Sequence, residues 1–210
     1  DNIVYVVDYP DMVQAEILML SMKDKYDPLK IPYITMYNEY FGGGMAGIVF
    51  QELRESKALA YSTFSSFTSP SKPVKPHYNL AYIGTQADKL PEAMEGFFQL
   101  LNDMPESEIT FNSARDNLLQ KLRTERITKG SVLSSYLSSQ KLGLDHDIRK
   151  DIYDKLQNFT MDDIKKFAND NIKGSKYTIL VLGDKDKLDM ATLQKYGTVK
   201  FLTLEEVFGY

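Results

Sequence analysis

Residues 40–62 read YFGGGMAGIVFQELRESKALAYS, and the chain changes character three times within them. An apolar, helix-compatible segment that starts at Pro28 ends at Phe41, and Gly42-Gly43-Gly44 interrupts it. Met45, Ile48, Val49 and Leu53 then recur at helical spacing, which predicts a second helix to about Lys57. Leu59 to Phe67 reads as a strand. Three glycines let one helix end and the next begin tightly, through backbone conformations closed to other residues. Gly42 to Gly47 also matches Gly-x-Gly-x-x-Gly at a helix start, where free amides could bind an anion. The context contradicts a dinucleotide site, which needs a strand before the glycines and an acidic residue roughly 20 positions on. A helix-like segment precedes them here, and residues 62–67 contain no acid.

Working outward, Ile3 to Val7 is a β-branched run, and Val13, Ala15, Ile17 and Met19 alternate beyond a turn at Tyr9-Pro10-Asp11. Together they predict an antiparallel opening. After the Leu59–Phe67 strand, Tyr78, Leu80 and Tyr82 alternate in another, across the loop Pro70 to Pro76. Leu90, Met94, Phe97 and Leu101 mark one amphipathic helix, and Phe111, Ala114, Leu118 and Leu122 a second. Thr160-Met161-Asp162-Asp163 is a capping signature for a helix that buries Ile164, Phe167, Ala168 and Ile172 and stops near Gly174. Tyr177 to Leu182 is a continuous apolar run suited to a central strand covered on both sides, and Val199 to Leu202 supplies a late short strand. Strands early, helices in the middle and strands again at the end predict an α+β fold, a mainly antiparallel sheet covered by helices. The Pro-rich loop at 70–76 is the one candidate break, and its flanks pair better as a hairpin, so residues 1–210 are expected to form a single domain.

The chain has 210 residues, 43% hydrophobic and 26% charged, enough for a sizeable core. Its net charge of -4 gives no electrostatic reason to expect nucleic acid or an anionic membrane as partner. No apolar run approaches the roughly 18 to 20 residues of a membrane span. Cysteine is absent, which removes disulfides, thiolate zinc ligands and cysteine nucleophiles. That leaves the compartment open between envelope and cytosol, with the bacterial periplasm or cell envelope favoured. The start at Asp1 rather than Met suggests a fragment or processed product.

Catalytic equipment is missing from the sequence. His77 is followed three and four positions on by Leu80 and Ala81, and His146 by Arg149 and Lys150, so neither forms a zinc-binding helix face. His77 reads as a strand-start residue and His146 as a helix-entry residue. No Gly-x-Ser-x-Gly elbow occurs, and the serines of 62–71 and 131–139 lack a nearby base. Asp162 with Asp163, and Glu205 with Glu206, are adjacent and point in different directions on a helix.

Read whole, residues 40–62 resemble the pitrilysin/insulinase family of zinc peptidases. A glycine-bearing break, a helix ending in Leu-Arg-Glu and a Gly-Leu-Ala-Tyr-Ser strand entry recur in the half of that family that does not bind zinc; here they stand as Gly42 to Gly44, Leu53-Arg54-Glu55 and Ala58 to Ser62. The opening strands, the later order of helices and the length resemble the family too. Ala58 departs from it, standing where Gly is usual. The inverted motif His-x-x-Glu-His, which defines the zinc-binding half, does not occur.

The resemblance implies a partner: a zinc-binding half, on the same polypeptide or a second subunit, that contributes the metal, its ligands and the glutamate that activates water. It implies that this half closes over an extended peptide substrate, which the zinc half aligns by strand addition. Arg54 and Tyr61 stand at the family's Arg and Tyr positions, seven residues apart across a helix-to-strand turn. A guanidinium and a phenol aimed at one cleft can both donate to a peptide carbonyl and stabilise charge that develops on its oxygen. By their residue types alone, Arg54 is equally a favourable cation near a helix C-terminus and Tyr61 a strand residue with a polar tip. Some members resembling this family have lost activity and serve as scaffolding or assembly subunits, which is the rival expectation.

Overall fold

The computed structural model describes residues 2–209. Its strands are β1 (Ile3–Asp8), β2 (Gln14–Lys25), β3 (Ser62–Thr68), β4 (Pro76–Gln86), β5 (Thr178–Gly183) and β6 (Thr198–Leu202). They form one sheet in the order β3-β4-β2-β5-β1-β6. The β3–β4, β4–β2 and β2–β5 pairs are antiparallel, and β5–β1 and β1–β6 are parallel, so the sheet is mixed and mostly antiparallel. The helices are α1 (Ile31–Tyr37), α2 (Ile48–Phe50), α3 (Leu90–Asn102), α4 (Glu108–Thr124), α5 (Lys129–Lys141), α6 (Ile148–Leu156), α7 (Met161–Asn171), α8 (Met190–Tyr196) and α9 (Leu204–Phe208). The α+β expectation holds. No helix among the described residues is long and apolar enough to cross a membrane.

The strand period explains where the core lies. Val4, Val6, Ala15, Ile17, Met19, Ala81, Ile83, Ile179 and Val181 are fully buried beneath the helices, while their neighbours in each strand face the other way. On the covered face α3 contributes Leu90, Met94, Phe97 and Leu101, and α7 contributes Ile164 and Phe167. Burying each such side chain is worth about 1.5–3 kcal/mol. Thr160 and Asp163 close the capping box that starts α7, as the sequence predicts. The opposite face carries Phe64, Tyr82, Leu18, Leu180 and Tyr5 in one row, successive partners across five strands. Phe64 stacks on Tyr82 at 5.3 Å, and the Tyr82 hydroxyl donates to Glu16. Burial and that carboxylate push the Tyr82 pKa up to about 12.

Two expectations are corrected. β1 and β2 do not pair with each other, because β5 from the far end of the chain inserts between them and pairs with both. The Tyr9-Pro10-Asp11 turn only reverses direction; long-range pairing chose the neighbour. β5 is central, as its apolar run predicts, but it is covered on one face only, with Leu180 37% exposed. An apolar run records burial potential and not the number of covering layers. The hairpin across residues 70–76 forms as expected, in β3–β4 register Phe67↔Asn79 to Ser62↔Gly84.

Candidate functional site

The glycine break is structural. A Cβ on Gly42 would lie 1.7 Å from the Ser65 carbonyl oxygen, so the helical segment and β3 approach at backbone contact there. Gly44 takes the left-handed conformation, φ 59°, that turns the chain into the next helix. That helix begins as α2 and widens into a π-helical stretch, Gln51–Ser56, whose last turn carries Arg54. Such widening re-aims side chains and is common at functional sites. The closure is correspondingly wide: the Lys57 amide donates to the Glu52 carbonyl at 3.1 Å and the Leu59 amide to the Leu53 carbonyl at 2.8 Å. Between them Ala58 adopts φ 49°, so the left-handed turn usual for glycine is kept by an alanine. The Tyr61 amide then bonds the Gly84 carbonyl at 2.8 Å and starts the pairing with β4.

This closure brings Arg54 and Tyr61 together on one open cavity of about 270 Å³, which Gln86 and Lys89 also line. Arg54 lies over the Phe50 ring, its guanidinium carbon 4.8 Å from the centroid, which at an exposed site is worth about 0.5–1 kcal/mol. Its nearest carboxylate is Glu55, 4.0 Å away and also exposed, too weak a pair to neutralise it. The Tyr61 hydroxyl oxygen accepts from Gln86 Nε2 at 2.7 Å, and Lys89 Nζ donates to the Ala58 carbonyl at 3.3 Å. Neither Gln86 nor Lys89 stood out in the sequence. Alternation from Tyr82 places Gln86 on the same strand face, yet nothing local says that the end of β4 meets Tyr61.

The histidines hold other posts. His77 is fully buried in β4, and its Nε2 accepts the Asp27 amide proton at 3.1 Å. Burial lowers its pKa. His146 lies just before the α6 N-cap Asp147, with Nδ1 2.6 Å from Asp145 and Nε2 2.7 Å from Asp151. Those carboxylates, Asp145 first, raise its pKa. They sit on opposite ring nitrogens and cannot converge on one ion. Among the described residues no three His, Cys, Asp or Glu side chains converge as metal ligands.

Fold and site together define a helix-covered α+β domain with a donor-lined pocket and no converging metal ligands among its described residues. Residues 6–139 match the family described as Peptidase M16 inactive domain, and the chain belongs to that family. Both Arg54 and Tyr61 fall within the matched stretch. No curated protein matches. Among solved structures it is similar to the peptidase M16 inactive domain from Pseudomonas fluorescens, with 17% identity and a TM-score of 0.71 over 87% of this chain and 43% of that one. A protease from Helicobacter pylori gives 14% identity and 0.68 over 85% and 43%. The periplasmic protease PqqL from Escherichia coli gives 18% and 0.66 over 88% and 21%. At these identities the likeness shows a shared fold, and the chain spans less than half the length of each of these three.

Proposed function

We propose that this chain is the substrate-binding, non-catalytic half of a two-part zinc metallopeptidase that cleaves peptides in a closed chamber. The observation that carries the proposal is the meeting of Arg54 and Tyr61 on one open cavity in a domain of the Peptidase M16 inactive family. An extended peptide would lay one carbonyl oxygen between the guanidinium and the phenol. Both groups donate, and both bind that oxygen more tightly as negative charge builds on it, which stabilises the transition state. The partner half would hold zinc, which supplies the activated water. This chain's task is to orient the peptide and to close the chamber against solvent.

The test compares the chain alone with the chain assembled with its zinc half. Alone it is expected to bind no stoichiometric zinc and to cleave nothing. Assembled, it is expected to cleave peptides, and Arg54→Ala or Tyr61→Phe to lower kcat/KM by about a hundredfold. Near-normal turnover in both variants would sink the assigned roles. Tightly bound zinc in the isolated chain would sink the larger proposal.

One observation favours an inactive assembly subunit instead. α5 buries none of its residues, although Val132, Leu133, Tyr136 and Leu137 lie on it exposed. A scaffold would use that helix to hold a partner and would be indifferent to Arg54 and Tyr61. For the compartment we propose the bacterial periplasm or cell envelope, supported by the fold shared with a periplasmic protease; cell fractionation checks it.

A further inference from the structure

The cavity between Arg54 and Tyr61 offers more than a neutral carbonyl can use. Because the Tyr61 oxygen already accepts from Gln86, the phenol's own proton is free for a ligand. Lys89 spends one of its three N–H donors on the Ala58 carbonyl, which fixes the ammonium on the cavity wall and leaves two donors over. Arg54 holds its guanidinium carbon 4.8 Å from the Phe50 centroid and meets Glu55 only through Nε at 4.0 Å, which leaves the two terminal nitrogens of its fork for a ligand. Set against these two cations is the single carboxylate of Glu55, so the lining carries a surplus of one positive charge. A peptide carbonyl brings two lone pairs and no charge, and Arg54 with Tyr61 satisfies it completely. What remains unmatched is a second cation with free donors on the same lining, held at the Ala58 carbonyl.

We infer that this cavity reads a carboxylate on the bound peptide, with Lys89 as the residue that determines the preference. The inference rests on Arg54 and Tyr61 holding the neighbouring carbonyl. A volume of about 270 Å³ has room for one side chain or one chain end, so the carboxylate belongs to an Asp or Glu side chain or to the peptide's C-terminus. The chemistry is the same for both, and the substrates separate them.

The experiment measures kcat/KM of the peptidase assembled from this chain and its zinc half on matched peptides. One pair carries Glu or Gln beside the scissile bond, and the other ends in a free carboxylate or an amide. The acidic member of one pair is expected to be preferred about fivefold, the size of an exposed charge pair, and the pair that shows it identifies the source. Lys89→Arg keeps the ratio, Lys89→Met brings it to about one, and Lys89→Glu inverts it. Ratios of one for both pairs in the unaltered protein, or a ratio unmoved by Lys89→Met and Lys89→Glu, would overturn the inference. Its failure is separable from that of the carbonyl contact. If Arg54→Ala and Tyr61→Phe slow every peptide alike while Lys89 variants leave the ratio alone, only the carboxylate preference falls. Undiminished cleavage in the Arg54 and Tyr61 variants brings down both.

Discussion

Gln86 Nε2 donates to the phenol oxygen of Tyr61 at 2.7 Å, linking the end of β4 to the residue that leads into β3. The contact holds the ring through one lone pair of its oxygen and does not use the hydroxyl proton. Tyr61 is 49% exposed, so Tyr61→Phe is expected to change folding stability by no more than about 0.5 kcal/mol while lowering kcat/KM about a hundredfold. Thermal melts run beside peptide cleavage check this; a melting loss in step with the activity loss would make Tyr61 a structural residue.

Ala58 holds a left-handed backbone with its Cβ in place, φ 49°, in a turn that glycine enters freely. Ala58→Gly is expected to stabilise the chain by about 0.5–1 kcal/mol, after allowing for the greater freedom glycine gains in the unfolded state. Urea unfolding measures it, and a lower midpoint in the variant would contradict the strain argument.

Two of the three glycines of the break, Gly42 and Gly44, should behave differently. Gly42→Ala drives a Cβ to within 1.7 Å of the Ser65 carbonyl, backbone against backbone, and is expected to cost about 3 kcal/mol or more. Gly44→Ala meets nothing within 4 Å and bears only the left-handed penalty of φ 59°, about 1 kcal/mol. Equal losses in a denaturation series would mean that β3 does not abut the break.

The histidines predict opposing pH dependences. His77 has a folded pKa below 6.5, so the unfolded chain takes up a proton first as pH falls. Stability therefore declines below about pH 6.5 until the folded value is reached. His146 has a folded pKa above 6.5, so its contribution is present below that pH and is lost as pH rises through the folded value. In urea titrations between about pH 5 and 8, His77→Leu should flatten the acidic decline and His146→Asn the loss on the alkaline side. An unchanged slope in either variant would assign that limb to other groups.

Much of this domain is written in local pattern. The helix faces of Leu90, Met94, Phe97 and Leu101 and of Ile164, Phe167 and Ala168 lie buried where their spacing puts them, and Thr160 caps where its sequence says. These depend on neighbours a few positions apart. β5 between β1 and β2 depends on residues more than 150 positions away, and no local period records which edge a strand will take.

The candidate site divides the same way. By itself the sequence determined the helix, the glycine break and the Leu-Arg-Glu and Leu-Ala-Tyr-Ser segments that carry Arg54 and Tyr61, because turn chemistry and helical spacing act over a few residues. Only the tertiary structure decided that the two side chains share a cavity. The π-helical widening before Ala58 sets the aim of Arg54, and β3–β4 register sets Gln86 against Tyr61 while the turn into α3 sets Lys89 against the Ala58 carbonyl. Those placements come from packing between segments about 30 residues apart, where side-chain direction follows from how whole elements dock.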